Sequence, residues 1–198
     1  LSPRRLIGMI GLPGQRLPPG LLWQLGLGLV LSGAIGVLAY RRQALSTSGA
    51  AGAVLTGTLI FGFGGWVWGA LLITFFVLST LLSKYKAQVK EGLAEKFEKG
   101  SRRDLGQVLA NGAAGALTAS AYAVDGSPVW FFAFCGAMAA VNADTWATEL
   151  GVLSRRPPRL ITNGKVVERG TSGGISRAGV LATLGGGAII GLAALIYR

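Results

Sequence analysis

The chain contains no histidine and a single cysteine, Cys135. Imidazole catalysis and histidine-ligated metals are therefore excluded. So are an intrachain disulfide and a cysteine-rich structural zinc site, which needs several thiolates. Charge is also scarce. Only 14% of the residues are Asp, Glu, Lys or Arg, against about 25% in an ordinary soluble domain. Any acid–base or metal chemistry must use the few Asp, Glu and Lys side chains that are present.

What the chain has instead is apolar length and small residues. Of 198 residues, 51% are hydrophobic and 32 are glycine, and mean hydropathy is +0.54. Small residues without a collagen-like period suit close helix packing in lipid, where no hydrophobic drive brings helices together. The net charge of +11 would suggest nucleic acid in a soluble protein. Here the bases sit in short connectors between apolar runs, so anionic lipid headgroups and phosphate ligands are the matching partners, and nucleic acid is excluded.

A bilayer needs about 20 apolar residues per helix, and the sequence supplies about six such stretches. They run Leu21–Tyr40, Ala44–Phe63, Gly65–Leu82, Asp104–Val124, Val129–Leu150 and Ala178–Tyr197, with a turn expected at Gly62–Gly65. The expected fold is an all-α, polytopic membrane helix bundle forming one domain over residues 1–198. Its first 20 residues, basic and proline-rich around Leu6–Leu12, read as an interfacial or re-entrant piece left from a longer N-terminus. The connectors after the first, third and fifth stretches carry fifteen of the nineteen Lys and Arg residues. The positive-inside rule places them in the cytoplasm, in a bacterial-type inner membrane, although Arg4, Arg5 and Arg16 then fall on the opposite side. Trp23, Trp66, Trp68 and Trp130 are expected in the interfacial belt.

The fifth stretch ends in V-N-A-D-T-W-A-T-E-L-G, Val141–Gly151. Carboxylates in or beside a membrane span are costly and mark functional sites that face protein, water or a metal. Asp144 is the candidate metal ligand, and Glu149 a ligand or a substrate-positioning group. The two would lie about 140° apart on an ideal helix, whereas Asn142, Thr145 and Glu149 share a face. A single ion held by both acids therefore requires a bend or a local break. Thr148 completes the polar set, and Trp146 would wall the site or stack on a base.

The second informative segment is P-R-L-I-T-N-G-K-V-V-E-R-G-T-S-G-G-I-S, Pro158–Ser176. A glycine-rich turn opening a helix presents backbone N–H groups and the positive end of the helix dipole, which suits phosphate. Gly170, Thr171, Ser172, Gly173, Gly174 and Ser176 are the expected phosphate cradle, with Lys165 supplying charge. The order is not that of a Walker A loop. Lys84 and Lys86, leaving the third stretch beside Ser83, are further phosphate candidates. Arg102 and Arg103 read as headgroup anchors. Gln107 and Asn111, four residues apart, are either interhelical glue or part of the site.

Four strings together, S-K-Y-K, Q-V-L-A-N-G, N-A-D-T-W-A-T-E-L-G and P-R-L-I-T-N-G-K…G-T-S-G-G-I-S, resemble one integral-membrane family. That family was long a domain of unknown function and includes the phytyl-phosphate kinase of vitamin E biosynthesis. The resemblance covers nearly the whole chain. It implies Mg2+-dependent transfer of a nucleotide γ-phosphate, with CTP as donor, to an isoprenoid monophosphate such as phytyl or geranylgeranyl phosphate. Asp144, Ala147 and Gly151 also resemble the D-x-x-A-x-x-x-G element of dolichol kinases and related CTP-using membrane enzymes. Arg155 stands where a further glycine often follows there. The alternatives are CTP-dependent nucleotidyl transfer to a lipid phosphate, and a small lipid or ion transporter.

Overall fold

The computed structural model describes residues 20–86 and 102–197. The expected N-terminal interfacial piece, up to residue 19, and residues 87–101 of the charged connector lie outside the described residues. Among the described residues are six long helices: α1 Leu21–Arg41, α2 Thr47–Gly64, α3 Trp66–Lys84, α4 Leu105–Asp125, α5 Val129–Gly151 and α6 Arg177–Tyr197. Two short antiparallel strands, β1 Arg159–Leu160 and β2 Gly174–Ile175, lie between α5 and α6. The turn between α2 and α3 falls on Gly65, whose φ of 82° lies in the left-handed region that glycine tolerates.

Of these helices α1, α2, α3 and α6 are long and apolar enough to cross a membrane, where the sequence suggests about six crossings. Length is not what separates α4 and α5, at 21 and 23 residues. Composition separates them. Gln107, Asn111, Thr118 and Ser120 lower the apolarity of α4, and the Asn142–Glu149 cluster does the same for α5.

The core runs through α2 to α6, with Ile60, Leu71, Phe134, Met138 and Ile190 fully buried. Trp68 corrects the expected aromatic belt. It is 3% exposed and packs against Tyr122, Phe131 and Phe134, with ring centroids 4.5–5.7 Å away. Trp23 and Trp66 do lie on the outer surface. The Trp130 indole N–H donates to the Asp125 carboxylate at 2.9 Å, closing the turn before α5.

Glycine sets the tightest helix pair, α5 against α6. A Cβ at Gly186 would lie 3.0 Å from both the Ala143 Cα and the Asn142 carbonyl oxygen, and one at Gly151 would lie 3.4 Å from the Gly179 Cα. Backbones approach this closely only where side chains are absent, as small-residue seams in membranes do.

Candidate functional site

The site begins with how α4 starts. Asp104 and Gln107 form a reciprocal cap. The Gln107 N–H donates to Asp104 Oδ1 at 2.8 Å, and the Asp104 N–H donates to Gln107 Oε1 at 3.1 Å. Such a capping box satisfies two of the backbone donors that a helix start leaves open. It also accounts for Gln107, which therefore caps its own helix rather than binding a neighbour.

The residue just before that cap, Arg103, is clamped through its backbone. Its N–H donates to the Ala44 carbonyl at 3.0 Å, and its own carbonyl accepts from the Ser46 N–H at 3.0 Å. A side chain at Gly49 would collide with that carbonyl oxygen, so glycine is required where α4 meets the start of α2. Clamped this way, Arg103 turns inward. Its guanidinium lies 5.9 Å from the ring centre of Phe75, a cation–π approach within the usual limit of about 6 Å. Burial pushes the guanidinium below its ordinary value, and the nearby charge of Glu149 opposes that shift. Reading Arg103 as a headgroup anchor is thus corrected. Its neighbour Arg102 does stay at the surface, donating to the Leu45 carbonyl at 3.2 Å and lying over Tyr40.

Glu149 faces the same region. It is half-buried in the last turn of α5, and the Ser83 hydroxyl donates to its Oε1 at 2.6 Å. This short, charge-assisted bond ties the end of α3 to the end of α5. Lys84, Tyr85 and Lys86 follow directly and are exposed, with the Lys86 ammonium 5.3 Å from the centre of the Tyr85 ring.

Asp144 occupies a different side of α5. The helix is unbroken from Val129 to Gly151, so the two acids keep the separation of about 140° that ideal geometry gives them. Asp144 is exposed, and no hydrogen bond of its carboxylate is found among the described residues. One ion gripped by both acids does not fit this helix. An ion held by Asp144, substrate phosphates and water does fit, since Mg2+ commonly takes one or two carboxylates and keeps several waters.

Asn142 is a correction of a different kind. It is fully buried, and its amide donates to the Gly186 carbonyl at 2.7 Å. It joins α5 to α6 and is closed off from any soluble cofactor. Trp146 lies over Gly185 and Gly186 in the same seam, so it stiffens the helix pair and is not placed to stack on a base. The Thr145 hydroxyl bonds back to the Val141 carbonyl at 3.0 Å, and Thr148 is exposed. Asn111 lies half-buried on α4, on a cleft that also receives Arg103.

The glycine-rich segment is more structured than an open turn. Gly174 pairs with Leu160 across β1 and β2, and Ile161 donates to the Gly173 carbonyl at 3.0 Å. Gly170 and Gly173 have φ of 85° and 75°, which allows the tight reversal around Thr171 and Ser172, both exposed. Lys165 is exposed in the segment between the two strands, its carbonyl accepting from the Leu160 N–H. Ser176 caps α6, accepting from the Gly179 N–H at 3.0 Å, and its hydroxyl also reaches the Gly151 carbonyl at 3.4 Å. The start of α6 therefore rests directly on the end of α5. Ala147 and Gly151, which share a side of α5 with Asp144, form that contact.

Apolar helices whose polar residues gather at one basic end define an integral membrane protein. The chain belongs to the family of integral membrane proteins DUF92, which matches residues 30–198. It is 36% identical over 183 residues to the protein PGR of Arabidopsis thaliana, covering 85% of this chain and 63% of that protein. It is 36% identical over 152 residues to an uncharacterized membrane protein of Methanocaldococcus jannaschii, covering 77% and 62%. With the chloroplastic protein VTE6 of Arabidopsis thaliana it shares 36% identity over 147 residues, covering 71% and 44%. The chain thus spans less than two thirds of each of these relatives. No solved structure matches it.

Proposed function

We propose that this protein transfers the γ-phosphate of a nucleoside triphosphate, CTP being the expected donor, to an isoprenoid monophosphate and so makes the diphosphate. The observation that carries this reading is the end of α5. An exposed carboxylate at Asp144, engaged by no described neighbour, lies five residues before Glu149, which is tied to Ser83 and electrostatically to Arg103. Acids this close to lipid are expensive unless protein, water or a bound cation compensates them, and a cation with phosphates would do so here. The motif resemblance to phytyl-phosphate kinases and the likeness to VTE6 support the same reaction class.

The chemistry asks little covalent help of the protein. An oxygen of the acceptor phosphate forms a bond to the γ-phosphorus, and the bond from that phosphorus to the β–γ bridging oxygen breaks. The nucleoside diphosphate leaves with the electron pair. Positioning and neutralisation of charge dominate such reactions, and an acceptor phosphate is already ionised at neutral pH, so no histidine base is needed. Asp144 would hold Mg2+, which when bound neutralises the donor phosphates. Glu149 orients Arg103 and the end of α3. Lys84, Lys86 and Lys165 offset charge, and the 170–174 turn cradles phosphate. The reaction requires the polar end to face the nucleotide-containing, cytoplasmic side, as the basic connectors suggest.

Asp144, Ala147 and Gly151 resemble the D-x-x-A-x-x-x-G element of dolichol kinases and related CTP-using membrane enzymes, and CTP can serve kinases and nucleotidyl transferases alike, so the products must be identified. Purified protein given CTP labelled at the γ-phosphate and geranylgeranyl monophosphate should yield labelled geranylgeranyl diphosphate and unlabelled CDP. Release of labelled pyrophosphate with formation of a CDP-lipid would replace kinase by nucleotidyl transferase.

A further inference from the structure

A cleft of about 110 Å³ lies among α1, α2, α3 and α4, away from the α5–α6 seam. It exists because α1 packs chiefly on α2. Gly28 and Gly36 allow that approach, since a Cβ there would lie 3.2 Å from the Thr58 carbonyl or 3.1 Å from Val54. α1 thereby stands off from α3, and apolar side chains such as Leu31, Ile35, Ala53, Leu72, Ile73 and Phe76 line the gap. The polar groups inside it are largely self-satisfied. Ser32 bonds to Thr58 at 2.9 Å, and Thr56 donates to the Gly52 carbonyl at 2.8 Å.

Two groups are not. Arg103 and Asn111 also line the cleft, and no side-chain hydrogen bond of either is found among the described residues. Arg103 sits at the basic end, where its charge also meets Glu149. The result is an apolar slot closed at one end by a half-buried guanidinium, beside the acid-bearing end of α5. A ligand matching it has an apolar chain that ends in an anion.

We propose that this cleft binds the acceptor lipid, with the first part of an isoprenoid chain among α1–α4 and its monophosphate on Arg103 and Asn111. The proposal rests on the reading of the protein as a prenyl-phosphate kinase and adds where that substrate lies. It also sets Glu149 beside the acceptor and leaves Asp144 to the donor, which explains why the two acids occupy different sides of α5. An apolar cavity of about 150 Å³ accommodates a benzene-sized ligand, so the cleft takes about one isoprene unit. The rest of the chain then extends into lipid. Recognition is accordingly strict for the phosphate and the first unit and indifferent to further length.

The test is binding of tritiated geranylgeranyl monophosphate to the full chain in phosphatidylcholine nanodiscs, without nucleotide. Arg103→Gln should weaken binding roughly tenfold or more, as loss of a charge-assisted contact does, and Arg103→Lys should restore part of it. Ala53→Phe, which fills the cleft, should weaken both the phosphate and geranylgeraniol, whereas Arg103→Gln should leave geranylgeraniol unchanged. Farnesyl monophosphate should compete as well as the longer chain, and phosphatidic acid should not. Wild-type affinity in Arg103→Gln and Ala53→Phe, each monodisperse in detergent, overturns the proposal. So does equal competition by phosphatidic acid, which would make the cleft a general phospholipid site. Binding that follows these expectations in a protein without phosphoryl transfer would keep the cleft and sink the kinase. Transfer unaffected by either variant would do the reverse.

Discussion

The α5–α6 seam and the α1–α4 cleft are built from the same residue types and behave oppositely. In the seam, Gly151, Gly179 and Gly186 bring two backbones into contact, and Asn142 adds a buried hydrogen bond between them. Around the cleft, Gly28 and Gly36 draw α1 onto α2 and thereby hold it away from α3. Small residues therefore close one part of the bundle and open another, according to which pair of helices they join. The closed part holds Asp144 and Glu149 at fixed angles on an unbroken helix. The open part leaves room for a lipid chain beside Arg103.

Adding atoms should expose the contrast most sharply. Gly186→Leu, whose side chain would press on the α5 backbone, is expected to destabilise the protein by about 3 kcal/mol or more, at the upper end for overpacking. Unfolding in detergent followed by circular dichroism measures this. A stable variant would mean that the seam is looser than it looks. Ser83→Ala removes a hydrogen bond to a charged group and should cost about 1.5–3 kcal/mol, together with weaker lipid-phosphate binding as Arg103 loses a fixed Glu149. Asn142→Leu should cost only about 0.6–1.5 kcal/mol, because interhelical hydrogen bonds in membranes contribute modestly and the Asn142 Oδ1, buried without a partner, is removed as well. Loss of turnover in a fully folded Asn142→Leu would instead return that residue to the reaction. The smallest effect belongs to the cleft. Ala53→Leu should shift stability by no more than about 0.5 kcal/mol, since the added atoms enter space already there. A cost like that of Gly186→Leu would show the cleft to be packed.

Helix positions were largely readable in the chain because apolar length and charge breaks set them. All six begin and end within about three residues of the expected points, well inside the drift normal for helix ends. Which side of each helix faces inward was not readable. α3 is apolar all round, and a helix of that kind carries no stripe to say what it buries, so Trp68 read as a belt residue and lies in the core. The relative directions of Asp144, Asn142 and Glu149 followed from spacing alone, but the burial of Asn142 depends on Gly186, far away in sequence. Arg103 read as a headgroup anchor because one of two adjacent arginines looks like any other at a helix end. The signal was the D-x-x-Q cap immediately after it, which fixes the helix start and hence the direction of the preceding residue.

In the proposed reaction α5 carries a catalytic carboxylate, Asp144, distinct from the groups that bind the lipid acceptor. Comparing Asp144→Asn with the unaltered protein in two assays separates these roles: transfer of labelled γ-phosphate from CTP to geranylgeranyl monophosphate, and binding of that lipid alone. Transfer should be abolished while lipid binding and thermal stability stay at the level of the unaltered protein. Undiminished transfer by Asp144→Asn would remove Asp144 from the reaction.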